Sequence, residues 1–429
     1  MTRLPRSGLA AATAAFWIAA ALPAAAQDIG QLTGDWGGMR TRLFDAGFDF
    51  QASYVEEFAG NVAGGSKQMG AGAGQLMLGT TLDLEKLWSV PNAKMQFTVT
   101  NRNGSNLVTD ADLNTLQLVQ EVYGRGDIWR LVSMWYEQSF LDDTISWKGG
   151  RVTVGEDFAS FACDFQNLTF CGATPGNLVG NYWFNWPVSQ WGTRLRLGKP
   201  DAYFQVGAYQ VDPRNAQNDG FFLGFEGTTG ALIPVEVGWK PSFGGLQGSY
   251  TATAWYDTSD ADSVYYNSNG LPIGLYGGTP LVVEGRYGVS VHLLQQVYQP
   301  VPSDPVRGLS LFLNITQTDN RTSQLNNQVA IGAVYTGMLD SRPRDAIAIA
   351  FGRTQVNSQY AATQTLQNYV SPGSVAVQNA AEYVMETYYN IRVHDGVEVR
   401  PNFQYIVNPG GVSGAADVVV LGVKAIVNL

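Results

Sequence analysis

The chain has 429 residues and sets 36 Asp and Glu against 26 Lys and Arg, a formal net charge of −10. That acidic balance argues against a nucleic-acid partner. Mean hydropathy is −0.07, and no run beyond the first residues is long and apolar enough for a membrane-spanning helix.

The N-terminus reads as a secretory signal over residues 1–26. Arg3 and Arg6 supply the positive region, Leu9 to Leu22 the apolar region, and Ala24 and Ala26 the small residues before a cut near Gln27. The apolar run is shorter than the ~20 residues a span needs. Residues 27–47 read as a periplasmic segment. Asp35 caps a short helix running to about Ala46, Met39, Leu43 and Phe44 share one side of it, and Gly47 stops it.

From residue 48 to 429 apolar and polar residues alternate with period two. Tyr383, Met385, Tyr389, Ile391 and Val393 share one face, and Glu382, Glu386, Asn390, Arg392 and His394 the other. After a turn at His394-Asp395-Gly396, Val397, Val399, Phe403, Tyr405 and Val407 again oppose Glu398, Arg400, Asn402, Gln404 and Ile406. Alternation alone fits a soluble sandwich or a lipid-embedded barrel equally. Connection lengths favour the barrel. About sixteen strands are joined by turns that are short and long in alternation, the outer-membrane pattern. Short turns fall near Leu141–Asp143, Lys199–Asp201 and Asp395–Gly396. Long ones fall near Asn61–Gly74, Gly104–Asp127, Gly155–Gln190, Asp212–Gly230, Asp257–Glu284 and Val356–Ala380. The final strand, Asp417 to Leu429, runs to the last residue, which suits a barrel that pairs it with the first strand and leaves no open edge. Trp129, Trp135, Trp147, Trp191, Trp239 and Trp255 crowd strand ends, as an interfacial girdle in lipid and lipopolysaccharide requires, although β-propensity alone also favours them there. The fold class is therefore all-β, a transmembrane antiparallel β-barrel with a short N-terminal helix.

The two cysteines, Cys163 and Cys171, read as a short-loop disulfide in an oxidising compartment, or otherwise as two buried thiols.

The segment LTGDWGGMRTRLFDAGFDF, with Gly34, Asp35, Trp36, Gly37, Gly38, Arg40, Leu43 and Gly47, resembles the opening of the carbohydrate-selective porins of the OprB type. GRVTVGEDFAS at 150–160, WPVSQWGTRLRLG at 186–198 and PNFQYIVNPGG at 401–411 resemble the same family, in the expected order. Leu429 departs from its usual terminal Phe or Trp, which bears on recognition by the barrel-assembly machinery. The resemblance implies a sixteen-stranded outer-membrane channel that passes sugars, glucose above all, by diffusion. Periodicity and composition indicate the barrel and not the sugar.

A sugar channel must narrow a wide barrel and replace the hydration of hydroxyls while binding weakly. Gly155–Gln190 is the candidate constriction loop. It follows Arg151 and carries Glu156, Asp157 and Asp164, with Tyr182, Trp183, Phe184 and Trp186 as ring-stacking candidates that could equally pack the loop onto the wall. Arg194 and Arg196 alternate with Leu195 and Leu197, so both guanidiniums face the lumen opposite the acidic loop. Lys94, Arg102, Arg286, Glu382, Glu386, Arg392, Glu398 and Arg400 are further inward candidates, read mainly as a charge ladder that hydrates the pore. No catalytic or metal-ligating set emerges, and no cofactor is expected. His292 and His394 are the only histidines, there is no G-x-S-x-G motif, and GAGAG at Gly70–Gly74 lacks the Lys-Ser/Thr of a phosphate loop. The rival readings are a general or anion-selective porin and a structural or adhesive barrel. Many large pores are homo-oligomers, and nothing in the chain specifies that state.

Overall fold

A computed structural model describes residues 30–429. The expected signal segment, 1–26, lies outside the described residues. Sixteen long antiparallel strands form one closed barrel. They are β1 (Phe48–Ala63), β2 (Gly70–Asp83), β3 (Ala93–Gly104), β4 (Ile128–Phe140), β5 (Ile145–Val152), β6 (Gln190–Lys199), β7 (Ala202–Val211) and β8 (Gly230–Trp239). Then follow β9 (Leu246–Asp257), β10 (Arg286–Tyr298), β11 (Gly308–Thr318), β12 (Leu325–Thr336), β13 (Ala346–Val356), β14 (Ala381–His394), β15 (Val397–Val407) and β16 (Val418–Asn428). Sequence neighbours pair, and β16 closes onto β1 with Ser53 opposite Asn428 and Ala63 opposite Val419. Closure satisfies every strand edge, the condition for crossing hydrocarbon. Among the described residues no helix is long and apolar enough to cross.

The faces separate as the alternation requires. On β13, Ile347, Ile349 and Phe351 point outward and are exposed in the isolated chain, while Ala346, Ala348 and Ala350 point inward and are buried. On β15, Glu398, Arg400, Asn402, Gln404 and Ile406 all face inward.

The β1–β2 connection is only 64–69, not the long gap expected from 61 to 74. GAGAG is strand: Gly70 and Gly74 lie under β1 side chains, where an added Cβ would meet the Phe58 ring at 2.7 Å and the Tyr54 hydroxyl at 2.5 Å. Aromatic side chains covering glycines of a neighbouring strand keep such a strand in register. The N-terminal helix also differs. Gly38, at φ 85°, separates a 3-10 turn (Trp36–Gly38) from the α-helix Met39–Asp45. Asp35 stands before the 3-10 turn and Gly38 directly before the α-helix, yet the Asp35 Oδ1 accepts from the Thr41 N–H (2.8 Å) in the α-helix's first turn and from the Thr41 hydroxyl (2.9 Å). Arg40 Nη2 donates to the Leu429 carbonyl at 2.8 Å, tying this segment to the chain end.

Hydrophobic packing lies inside the barrel, between the wall and inward-folded loops. One cluster joins Phe165 and Phe170 to Phe312, Val384 and Tyr388. The other joins Phe158, Tyr182 and Trp183 to Tyr209, Leu232 and Trp255.

Candidate functional site

The connection 153–189 turns into the lumen, and a buried charge cluster holds its root. Strand register sets Glu137 of β4 opposite Lys148 of β5, and Lys148 opposite Arg194 of β6. The helical turn Val154–Asp157 lowers Asp157 onto this row. Asp157 Oδ1 accepts from Lys148 Nζ (2.9 Å) and Arg194 Nη1 (3.2 Å), and Oδ2 accepts from the Tyr209 hydroxyl (3.1 Å). Arg194 also pairs with Glu137, which Lys94 approaches at 3.4 Å. Burial by itself would raise the Asp157 carboxyl, but the Lys148 and Arg194 cations hold it below the ordinary carboxylate value.

The Glu156 side chain, next in line, makes no ion pair or hydrogen bond among the described residues, its backbone N–H donating to the Thr153 carbonyl at 3.1 Å. Loss of solvation raises its carboxyl to about 7; the Lys148 ammonium opposes that rise and Asp157 adds to it. The raised value means the neutral form suits the folded loop. Its stabilising contribution is therefore fullest below the ordinary 4.5 and is lost as pH climbs through about 7. Across the same interval the pore gains a negative charge. Cation preference, read as the reversal potential in a salt gradient, is expected to rise through about pH 7, and Glu156→Gln to flatten that step. A variant that keeps the full step would assign it to another group.

The loop tip reaches the far wall. Glu386 on β14 is 0% exposed and accepts two backbone N–H groups, Gln166 on Oε1 (2.9 Å) and Asn167 on Oε2 (2.8 Å). Arg400 on β15 donates to the Asp164 carbonyl (2.8 Å) and carboxylate (3.3 Å). Lys424 on β16 donates to the Cys163 carbonyl at 3.2 Å, and Cys163 is bonded to Cys171. Small residues on β13 leave room for this docking: a Cβ on Gly352 would meet Thr169 at 2.5 Å and Phe170 at 3.1 Å.

A second connection, 105–127, folds inward and packs on the first. The Glu121 N–H donates to the Gln166 carbonyl (3.0 Å), and the Leu168 N–H to the Leu118 carbonyl (2.9 Å). Glu121 and Glu57 flank Lys424 at 3.0 and 3.2 Å, and Glu382 accepts the Leu116 N–H at 2.7 Å. Two loops, not one, narrow this barrel.

The structure brings Arg194, Asp157 and Glu156 together, with Arg196 near them. Arg196 is half-buried over the Tyr203 ring at 4.5 Å and donates to Gln205 at 2.9 Å. Asp164 stands across the lumen on Arg400. Two expectations need correction, for Arg151 and Trp183, and Trp186 takes a separate place in the lumen. Arg151 pairs in register with Met134 and Trp191, on the face opposite Lys148 and Arg194, and its guanidinium is spent on Asn215 (3.0 Å) and the Ser189 carbonyl (2.6 Å). Trp183 is 0% exposed and packs edge-on to Trp255 at 5.2 Å, so it braces the loop and reaches no solute. Trp186 is half-buried, with Nε1 donating to Gln75 at 2.9 Å, away from the Arg194 cluster. Sequence reasoning missed Lys148 and Glu137. Their signal was present: Glu137 shares a strand face with Trp135, and Lys148 with Ser146, as Arg194 does with Arg196.

A closed barrel with lipid-facing apolar residues, a charged interior and loops that narrow it defines a diffusion channel of the outer-membrane porin class. The model of the carbohydrate-selective porin family, OprB, matches residues 67–429. Porin B of Pseudomonas aeruginosa is 42% identical over 410 residues, covering 92% of this chain and 90% of that protein. The putative porin QuiX of Acinetobacter baylyi is 34% identical over 425 residues, covering 94% of each. The high-pH structure of Pseudomonas putida OprB superposes with a TM-score of 0.90 at 40% identity, over 93% of this chain and 98% of that one. The chain belongs to the carbohydrate-selective porin family, whose members are channels and not enzymes.

Proposed function

We propose that residues 1–26 direct export, that the barrel-assembly machinery inserts the mature chain among outer-membrane lipid and lipopolysaccharide, and that it there passes monosaccharides such as glucose by passive diffusion. The observation that carries the sugar reading is the constriction itself. It holds acids and guanidiniums already paired with each other, Asp157 with Arg194 and Asp164 with Arg400, beside the partly buried Arg196 and Glu156. Such a wall offers donors and acceptors to hydroxyls without the unbalanced charge that would hold an ion.

One observation favours an anion-preferring pore as the second reading. Arg125 and Arg130 bond only to backbone carbonyls and pair with no described carboxylate. Planar-bilayer recording with proteoliposome swelling separates the two. A monosaccharide channel gives small currents that glucose reduces. Arg196→Ala should weaken that block about threefold to tenfold, the scale of one net hydrogen bond to the solute. Strong anion selectivity with no glucose block would reject the sugar reading.

A further inference from the structure

We propose that a polar cleft at the long-loop mouth is a capture site for a neutral polyhydroxyl solute, occupied before the constriction; this rests on the sugar-channel reading above. The cleft holds about 540 Å³, inside the about 300–1,000 Å³ typical of small-molecule sites. Five separate chain segments build it. Asn181 comes from the constriction loop, Asp260 and Asp262 from the β9–β10 connection, and Arg286 from the start of β10. Gln324 precedes β12, and Tyr360 lies on the helix Ser358–Val370.

Its chemistry fits a sugar ring. Carboxylates accept from neighbouring hydroxyls, an amide both donates and accepts, and a tyrosine presents an apolar face beside a hydroxyl. The side chains of Asp260, Asp262, Gln324 and Tyr360 have no hydrogen-bond partner among the described residues, so all four are unspent. The frame around them is fixed. Arg286 Nε donates to Asp257 at 2.7 Å, and its guanidinium lies on the Tyr182 ring at 4.0 Å. The Val264 N–H donates to the Arg321 carbonyl (2.9 Å), the Thr363 hydroxyl to the Val264 carbonyl (2.7 Å) and Asn357 Nδ2 to the Ser323 carbonyl (2.7 Å). Because Asp257 neutralises Arg286, the cleft keeps the negative charge of Asp260 and Asp262. It should take neutral sugars and turn away anionic ones.

The cleft also touches the constriction. With its amide oxygen turned to Arg286, Asn181 accepts from Nη1 at 3.0 Å. The next residue, Tyr182, accepts from Trp255 Nε1 at 3.1 Å. A solute captured here touches the loop that narrows the lumen, one residue from the point where Tyr182 locks it to the wall.

The test is single-channel block by glucose and by gluconate, added to each side in turn, for the native protein and for Asp260→Asn/Asp262→Asn and Tyr360→Ala. From the long-loop side, glucose association should fall about threefold to tenfold in both variants. Gluconate association should rise in the Asp variant, and rates from the short-turn side should hold. Unchanged glucose association from the long-loop side overturns the capture site, even if gluconate speeds up, since the carboxylates then act only as a charge filter. If the native channel shows no glucose block, the sugar-channel reading is what fails. The cleft is then judged by saturation-transfer NMR of glucose on the detergent-solubilised protein. Transfer lost in the variants keeps the site, and equal transfer in native and variant protein overturns it.

Discussion

Asp157→Ala is expected to cost about 3–5 kcal/mol, because it leaves two buried cations short of a counter-charge. Lys148 and Arg194 have side chains only 5% and 4% exposed, so water cannot replace the carboxylate. Arg194 would retain its ion pair with Glu137, whereas Lys148 would lose its one direct ion pair among the described residues and keep the face of Trp135 at 4.4 Å, with Glu137 across the strand pair. The same residue joins three strands: Lys148 on β5, Arg194 on β6, and Tyr209 on β7, with Gln205 of β7 donating to its backbone carbonyl at 2.6 Å. Releasing it should let the loop root lift from the wall. Open-channel conductance should rise about twofold and glucose block should weaken, since a wider constriction holds its solute less closely. Asp157→Asn keeps shape and an acceptor and should cost less, about 1–3 kcal/mol. The readouts are the temperature of heat-modified migration in detergent gels and the single-channel current. Native values of both in Asp157→Ala would remove Asp157 as the pin of the loop.

The barrel was legible because its rule is local. A lipid-facing residue every second position, and turns short on one side and long on the other, are visible in any strand pair such as 381–407. Arg194 and Arg196 were assigned to the lumen by the same rule. Arg151 shows where the rule was not applied strictly: it lies three residues from Lys148, so parity alone puts it on the other face. The loop was harder to read. Its length and Cys163–Cys171 were visible, but its partners lie far away in sequence, Asp164 on Arg400 and Gln166 on Glu386, and no local pattern encodes such pairings. The one local trace is the small inner residues Ala346, Ala348, Ala350 and Gly352 on β13, opposite bulky outward ones. An inner face of small residues marks where something else fills the space. The inward fold of 105–127 left no comparable trace, because Glu121 reads as an ordinary loop acid until Lys424 is seen beside it. Trp183 was a candidate for stacking on solute as much as for packing the loop onto the wall, because the residues that cover it, Leu232, Tyr209 and Trp255, lie on strands distant in sequence.

Glu386→Ala is expected to free the other end of the same loop, at a cost of about 2–6 kcal/mol. Two buried backbone N–H groups, those of Gln166 and Asn167, lose their only acceptor, and each orphaned donor costs about 1–3 kcal/mol. Glu386→Gln retains one acceptor oxygen and turns an amide N–H₂ toward the second donor, so it should lose about half of that. Conductance should become noisier as well as larger, because the tip then moves while the root stays pinned. The decisive measurement combines the two ends. Asp157 and Glu386 hold opposite ends of one segment and share no partner. If the ends dock independently, their stability costs add within about 0.5 kcal/mol. The inner packing argues against that: Phe158 and Trp183 near the root, and Phe165 and Phe170 near the tip, all bury only when the whole loop lies against the wall. Once either end is released, part of the other end's packing is already lost. The double variant should therefore cost less than the sum of the single ones by about 1 kcal/mol or more. Strict additivity would mean that the two halves of the constriction open separately, and that each sets the pore width alone.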